Sequence, residues 1–368
     1  MPDRRTTITV LLATLVLTTP LSVGAAVATT APTTAPAGSR QRVEVAVDRE
    51  VSFIVDGGTT YGTLHVPAHR PGQRLPAALL LPGSGPTDRN GDQPGLPAHT
   101  LSQLAAALDA DQVITLRFDK YGSGRTGLAG FAGHPQTLDY PAFVRQATAG
   151  YDLLAAAPQT DRRAMLLVGH SEGAMTAELL AAQVTPRPAG LALLAPIPMR
   201  LLDILRQQLT AQIDAAAAAG QLTVAQRDGY AAAVTAAVAA IRAGTPVDTT
   251  GLPTAIGALL SALQSPAEAR AVLTEDAVDP VAAARRLPAH LRVLLTCGGD
   301  DVQVPCSSTD ALTAALHSPR TTGPGRVVLP GVDHELHDAQ HPTDLAPALL
   351  TALHQWDRRA SGQLPRQG

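Results

Sequence analysis

Ser171 is the residue of this chain best placed to act as a nucleophile. It stands in Gly169-His170-Ser171-Glu172-Gly173, after the apolar run Leu166-Leu167-Val168 and ahead of an alanine-rich stretch that opens with Ala174-Met175. That order reads as strand, sharp turn and helix, with glycines flanking the turn because a larger side chain would collide where the backbone folds back. The pentapeptide alone is a modest signal, since an exposed serine on an ordinary strand-to-helix turn has the same letters. The strand and helix patterns on either side raise its weight.

A serine hydroxyl needs a base to take its proton, the base needs an acid to orient it, and the developing oxyanion needs preorganised N–H donors. When nucleophile, acid and base follow one another along the chain, each belongs on a loop at the C-terminal end of a strand. Asp300 and Asp301 follow the apolar run Leu291–Leu295 and are the acid candidates; His334, His337 and His341 follow Arg326–Leu329 and are the base candidates. The backbone N–H of Glu172, directly after the serine, is expected to be one oxyanion donor.

Other chemistries find less material. His334, His337 and His341 with Glu335 fit no His-Glu-x-x-His or comparable zinc spacing, so no metal is expected. Gly122-Ser123-Gly124 lacks the Gly-Lys-Ser/Thr ending of a phosphate loop, and no cofactor motif stands out. A net charge of -3, with no basic run beyond residue 40, argues against a nucleic-acid partner, which needs a concentrated cationic face. Aromatic content of 3% leaves little for stacking on bases or sugars. Cys297 and Cys306 are the only cysteines and flank the acid loop; in an exported protein such a pair points to a disulfide that pins the loop.

The elements that must position these residues can be read in order. Residues 1–28 have a basic start (Arg4, Arg5), an apolar stretch from Ile8 to Leu17 and a small-residue ending at Ala26-Val27-Ala28, the layout of a secretion signal. The Arg4-Arg5 pair is compatible with a twin-arginine route, although the residues after it match that signal poorly. Pro20 and the drift into Gly-Ala-Ala-Val argue against a retained span of ~20 apolar residues, so no integral membrane span is expected in the mature form. Residues 29–39, rich in Thr, Ala and Pro, form a linker with no face to bury. Alternation at Val43, Val45 and Val47, then Val51, Phe53 and Val55, a turn at Asp56-Gly57-Gly58, and a further run from Tyr61 to Val66 predict antiparallel opening strands.

Buried strands follow at Ala77–Leu81, Val113–Phe118, from Met165 into the elbow, and at Leu191–Ala195, Leu291–Leu295 and Arg326–Leu329. Helical patterns separate them at Thr100–Asp109, Leu138–Ala157, Thr309–Leu316 and Leu345–Arg358. Strands alternating with helices imply a mostly parallel sheet, an α/β class of fold. Between Pro196 and Pro280 the chain runs instead through alanine-rich amphipathic segments, read as a helical lid inserted into a core of residues 40–195 and 281–358, with 359–368 as a flexible tail.

Five blocks now bear comparison with known proteins. They are Leu80-Leu81-Pro82-Gly83-Ser84-Gly85-Pro86-Thr87-Asp88-Arg89, Arg117-Phe118-Asp119-Lys120-Tyr121-Gly122-Ser123-Gly124, Gly169-His170-Ser171-Glu172-Gly173, Gly298-Gly299-Asp300-Asp301-Val302-Gln303-Val304-Pro305 and Gly331-Val332-Asp333-His334. In this order they resemble bacterial α/β-hydrolases of the serine aminopeptidase-like and dienelactone hydrolase-like group, over most of residues 60–355 apart from the helical insertion. The resemblance implies the α/β-hydrolase fold. Its Gly-x-x-Asp-x-Gln-Val-Pro block aligns with Asp301, leaving Asp300 as runner-up, and its histidine after the last strand aligns with His334. His337 and His341 are then expected to open the final helix as solvated residues. Gly83-Ser84 stands where the group commonly has His-Gly-x, which makes the Ser84 N–H the second expected oxyanion donor. Arg89, Asp88, Asp119 and Lys120 are read as structural, Arg89 and Asp88 as an ion pair bracing the oxyanion loop.

Together these features predict an exported serine hydrolase, secreted or associated with the cell envelope, that cleaves a carboxylic ester through Ser171, His334 and Asp301. Two alternatives remain: a serine peptidase of the aminopeptidase-like kind, acting on a peptide, and a non-catalytic binding protein on the same fold.

Overall fold

Asp56 and Gly57 both adopt positive φ, the backbone a two-residue hairpin turn demands. The turn joins β1 (Val47–Val55) to β2 (Gly58–Val66), paired antiparallel from Val47↔Val66 to Val55↔Gly58. The computed structural model describes residues 43–317 and 321–362. The expected secretion signal (1–28), the linker (29–39) and residues 363–368 of the expected tail lie outside the described residues. The valines expected to open the first strand are split by its boundary. Val43 and Val45 are exposed ahead of β1, and the strand itself runs unbroken through the second valine group.

Six further strands complete an eight-stranded sheet in the order β1-β2-β4-β3-β5-β6-β7-β8. They are β3 (Leu75–Leu81), β4 (Ile114–Phe118), β5 (Thr160–His170), β6 (Gly190–Leu194), β7 (Leu291–Gly298) and β8 (Thr321–Leu329). The pairs β1–β2 and β2–β4 are antiparallel; every other pair is parallel. All seven residues of β3 and all five of β6 are buried, which is why these strands appear as continuous apolar runs rather than alternations.

Successive side chains of one strand feed opposite layers. Leu79 and Leu81 join Leu167, Leu193 and Leu295 under the helices α2 (Tyr140–Ala156) and α3 (Glu172–Ala181), with Tyr151, Leu154, Ala177 and Leu180 closing that layer. Ala78 and Leu80 join Val168, Leu194 and Leu294 beneath α1 (Thr100–Asp109) and the C-terminal helix Pro347–Ala360, which contributes Leu349, Leu353 and Trp356. That last helix reaches two residues into the expected tail and starts at a proline, whose fixed φ suits the first helical position.

Between β6 and β7 lie four helices, α4 (Leu201–Ala218), α5 (Val224–Ala243), α6 (Thr254–Leu263) and α7 (Ala269–Asp276), followed by the short α8 (Pro280–Ala284). Among the four, Leu209, Ile213, Val234, Ile241, Ile256 and Leu260 form an apolar cluster separate from the two sheet layers. Helix α5 begins with a reciprocal capping box between Thr223 and Gln226 and ends at Gly244 in the left-handed conformation. Asp276 ties the segment together, accepting from the Leu202 amide at 2.8 Å and from Arg242. No helix among the described residues is long and apolar enough to cross a membrane.

Cys297, the penultimate residue of β7, is disulfide-bonded to Cys306 across a sequence separation of 9, with the Cα atoms 5.3 Å apart. The bridge closes the loop that carries Asp300 and Asp301. Chain-entropy reasoning gives roughly 2–3 kcal/mol for a loop this short. Replacing both cysteines by alanine is therefore expected to lower the unfolding free energy by about that amount in urea titration.

Candidate active site

The elbow is built by close approach. Strand β5 ends at His170, Ser171 takes φ 54° and ψ −119°, and α3 starts at Glu172. Positive φ is strained for a non-glycine residue, and its neighbours hold it there. A Cβ on Gly169 would lie 2.2 Å from the Gly173 carbonyl oxygen, and one on Gly173 would lie 2.2 Å from that of Leu81. The Ser171 amide donates to the Leu194 carbonyl at 2.9 Å, fastening the turn to the end of β6.

Three side chains expected from the sequence meet at the C-terminal edge of the sheet. Ser171 Oγ lies 3.0 Å from His334 Nε2, and His334 Nδ1 lies 2.8 Å from Asp301 Oδ2. The second oxygen of Asp301 accepts from the amides of Gln303 at 2.9 Å and Val304 at 2.7 Å, so the carboxylate cannot swing away. A carboxylate can only accept; His334 therefore donates from Nδ1, and in the neutral ring Nε2 keeps the lone pair that accepts the Ser171 hydroxyl. All three residues are buried, at 6% (Ser171), 8% (His334) and 4% (Asp301) exposure. Burial alone pushes the His334 pKa down, but the hydrogen bond and charge of Asp301 outweigh it and the net shift is upward. Such a line can pass the serine proton to the imidazole and hold the resulting cation beside a fixed anion.

The runner-up acid, Asp300, is exposed and uses its amide to reach the Val332 carbonyl at 3.0 Å. His337 and His341 depart from expectation. The last helix begins only at Pro347, so both lie in the preceding loop, which folds back through bridges at Val332–Asp338 and Asp338–His341. His337 is buried rather than solvated, with Nε2 lacking a hydrogen-bond partner among the described residues, while His341 pairs with Asp338.

The loop after β3 packs directly on the serine. A Cβ on Gly83 would sit 3.2 Å from Ser171 Cβ. The Ser84 carbonyl is held by Thr87 Oγ1 and Gln93 Nε2, each at 2.8 Å. Neither the Ser84 amide nor the Glu172 amide has an acceptor among the described residues. Further along this loop, Arg89 grips Asp119 through Nε at 2.9 Å and Nη2 at 2.8 Å, and Asp119 also accepts from the amides of Arg89 and Arg125. Desolvation raises the Asp119 pKa and the Arg89 bonds lower it further than that, so the acid stays ionised. Asp88 does not join the ion pair. Its Oδ1 caps the amides of Asn90 and Asp92 within the loop.

His170, which has no expected role, and Lys120, expected to be structural, both contact this site. His170 Nε2 lies 2.8 Å from the His334 carbonyl; since a carbonyl only accepts, Nε2 carries the proton and tethers the base loop. Burial, the largest influence, depresses the His170 pKa and keeps the ring neutral. Lys120 is buried at 6% exposure and donates from Nζ to the Gly83 carbonyl at 2.6 Å. A signal for it was present in the composition: of 28 basic residues Lys120 is the only lysine, and every other is an arginine.

The alpha/beta hydrolase family matches residues 78–348, and the chain belongs to that family. Among solved structures, the proline iminopeptidase of Mycobacterium smegmatis is similar with TM-score 0.55 and 16% identity, over 86% of this chain and 99% of that one. Est1E from Butyrivibrio proteoclasticus, solved with ferulic acid bound, gives TM-score 0.54 and 15% identity over 85% of this chain and 99% of its own. GrgF from Penicillium sp. sh18, an alpha/beta hydrolase, gives 0.53 and 15% over 86% and 99%. At these identities the likeness is one of fold. No curated protein matches the sequence.

Because Asp301 raises the affinity of His334 for a proton, NMR titration of His334 is expected to show a midpoint above the ordinary histidine range. Asp301→Asn is expected to move that midpoint down, since the largest influence opposing burial is removed and only the weaker charges of Glu335 and Asp333 still favour the cation. An unchanged midpoint would mean that the pair is not coupled in solution.

Proposed function

We propose that this protein is an exported serine hydrolase that cleaves carboxylic esters through an acyl-enzyme. The observation carrying the reading is the buried hydrogen-bonded line Ser171–His334–Asp301 at 3.0 Å and 2.8 Å, with Asp301 fixed by two amides. In the proposed reaction Ser171 Oγ attacks the ester carbonyl as its proton passes to His334 Nε2, and Asp301 stabilises the imidazolium. The carbonyl oxygen, now anionic, accepts from the amides of Ser84 and Glu172. His334 gives its proton to the departing alkoxide, which leaves as the alcohol. Water, deprotonated by His334, then cleaves the acyl-serine to release the carboxylic acid and restore the hydroxyl.

Support for export comes from the secretion-signal layout of residues 1–28, and the Cys297–Cys306 bridge suits an oxidising compartment. The helices between β6 and β7 are proposed to shape substrate access as a lid. The rival reaction, cleavage of an amide next to a free amino group, needs an ionised acid near the nucleophile to hold the ammonium. Glu275 of α7 is a buried carboxyl in this neighbourhood, and burial and the charge of Glu172 push its pKa well up, which disfavours its anionic form. Glu172 itself is paired with Lys120 at 3.4 Å. That balance favours an uncharged ester.

Ser171→Ala is expected to reduce p-nitrophenyl acyl ester turnover by at least about 10⁴-fold, and Asp301→Asn by about 10³–10⁴-fold, with melting temperatures within a few degrees of the parent. The parent enzyme is expected to be labelled by a fluorophosphonate probe and Ser171→Ala is not. Retained hydrolysis in Ser171→Ala would overturn the nucleophile assignment. Faster turnover of amino-acid p-nitroanilides than of esters would favour the peptidase, and native protein that neither turns over nor labels would favour a binding module.

A further inference from the structure

Lys120 Nζ is bound to the peptide group that carries one of the two proposed oxyanion donors. In a trans peptide the carbonyl C=O and the next residue's N–H lie in one plane and point in opposite directions. The Gly83–Ser84 peptide is trans. Whatever holds the Gly83 oxygen therefore also sets the direction of the Ser84 N–H. The holder is Lys120 Nζ at 2.6 Å, which is also 3.4 Å from Glu172 Oε2, on the residue that carries the other donor. One ammonium thus contacts both the peptide that carries the Ser84 amide and the side chain of Glu172.

Lys120 is itself locked. Gln146 of α2 accepts from the Tyr121 amide at 3.2 Å and donates to the Asp119 carbonyl at 3.3 Å, gripping the backbone on both sides of the lysine. The ammonium lies 5.7 Å from the centre of the Phe143 ring, a distance at which the ring face attracts a cation. The space left among Leu81, Phe118, Phe143 and Thr176 is only about 20 Å³. The position thus holds a compact point charge and not a planar fork of donors, in a chain that uses arginine for every other basic residue.

We propose that Lys120 is a positioning residue for the oxyanion hole: it holds the Gly83 carbonyl so that the Ser84 N–H faces the reacting carbonyl, and its charge polarises that peptide into a stronger donor. The inference rests on the ester-hydrolase reading given above and adds a residue to it. A fixed donor acts mainly once negative charge has developed on the substrate oxygen, so its loss is felt in the transition state and little in ground-state binding.

Lys120→Met keeps the apolar stem and removes the charge and the donor. It is expected to lower kcat on p-nitrophenyl butyrate by about 10–100-fold with KM within about threefold, less than the loss of a whole oxyanion donor because the amide is misdirected and not deleted. The dissociation constant of an alkylboronic acid, whose tetrahedral serine adduct mimics the transition state, is expected to rise by the same factor, while inhibition by the product carboxylate stays unchanged. Lys120→Gln, which restores a neutral donor, is expected to recover part of both losses. A folded Lys120→Met with kcat and boronate affinity within twofold of the parent overturns the proposal, as does an equal loss in KM and product binding.

The parent protein offers a second test that needs no variant. With [13Cε]lysine labelling the untagged chain has a single resonance, from Lys120. That signal is expected to shift when the boronic acid saturates Ser171, and a signal that stays fixed through saturation overturns the proposal. A parent enzyme without esterase activity or boronate binding would instead refute the hydrolase reading, so the two failures are distinct.

Discussion

The steric constraint at the end of β5 governs the rest of the site. Three backbone segments, the elbow, the loop after β3 and the first turn of α3, converge where Gly169, Gly173 and Gly83 leave no room for a methyl group or barely room for one. That crowding holds Ser171 at positive φ, a conformation the serine would not keep in a free peptide. Because β3, β5 and β6 are neighbours in the sheet, the strain is opposed by the parallel ladders on both sides of β5. A larger residue at any of these glycines would move Ser171 relative to loops arriving from both directions.

Around this fixed point the remaining groups are held by networks rather than single contacts. Asp301 is aimed by two amides, and its loop is closed by a disulfide. The loop carrying His334 is tethered through His170, and the loop after β3 through Arg89–Asp119 and Lys120. Most of these ties use buried, charge-assisted hydrogen bonds, which are directional and costly to leave half-made. The site therefore has little freedom to relax, as expected where reacting atoms must be held to fractions of an ångström.

What the sequence discloses follows from burial. Strands covered on both faces, such as β3 and β6, appear as uninterrupted apolar runs. Where a strand leaves that environment its signal fades. β5 begins at Thr160, five residues before the apolar run, because Arg162 and Arg163 are exposed at its start. The edge strand β8 begins at Thr321 and includes Gly323, Pro324 and Gly325, residues that suggest a turn but that an edge strand tolerates. The loop holding His337 and His341 looks like an approach to the last helix, and only the delayed start at Pro347 separates them. The parts of Lys120 and His170 depend on contacts between segments far apart in the chain, at separations of 37 and 164 residues, and no local pattern carries such information.

The helices between β6 and β7 are chemically self-contained in one respect: their leucines, isoleucines and valines are buried mainly against one another. The sheet ends that deliver Ser171, Asp301 and His334 pack in different clusters. The insertion meets the acid loop at a narrow seam, where Ile204 packs with Val304 and Gln208 donates to the Gln303 carbonyl at 3.1 Å. A change in the insertion's own core therefore reaches Asp301 through that seam, because Gln303 and Val304 are the residues whose amides hold its carboxylate.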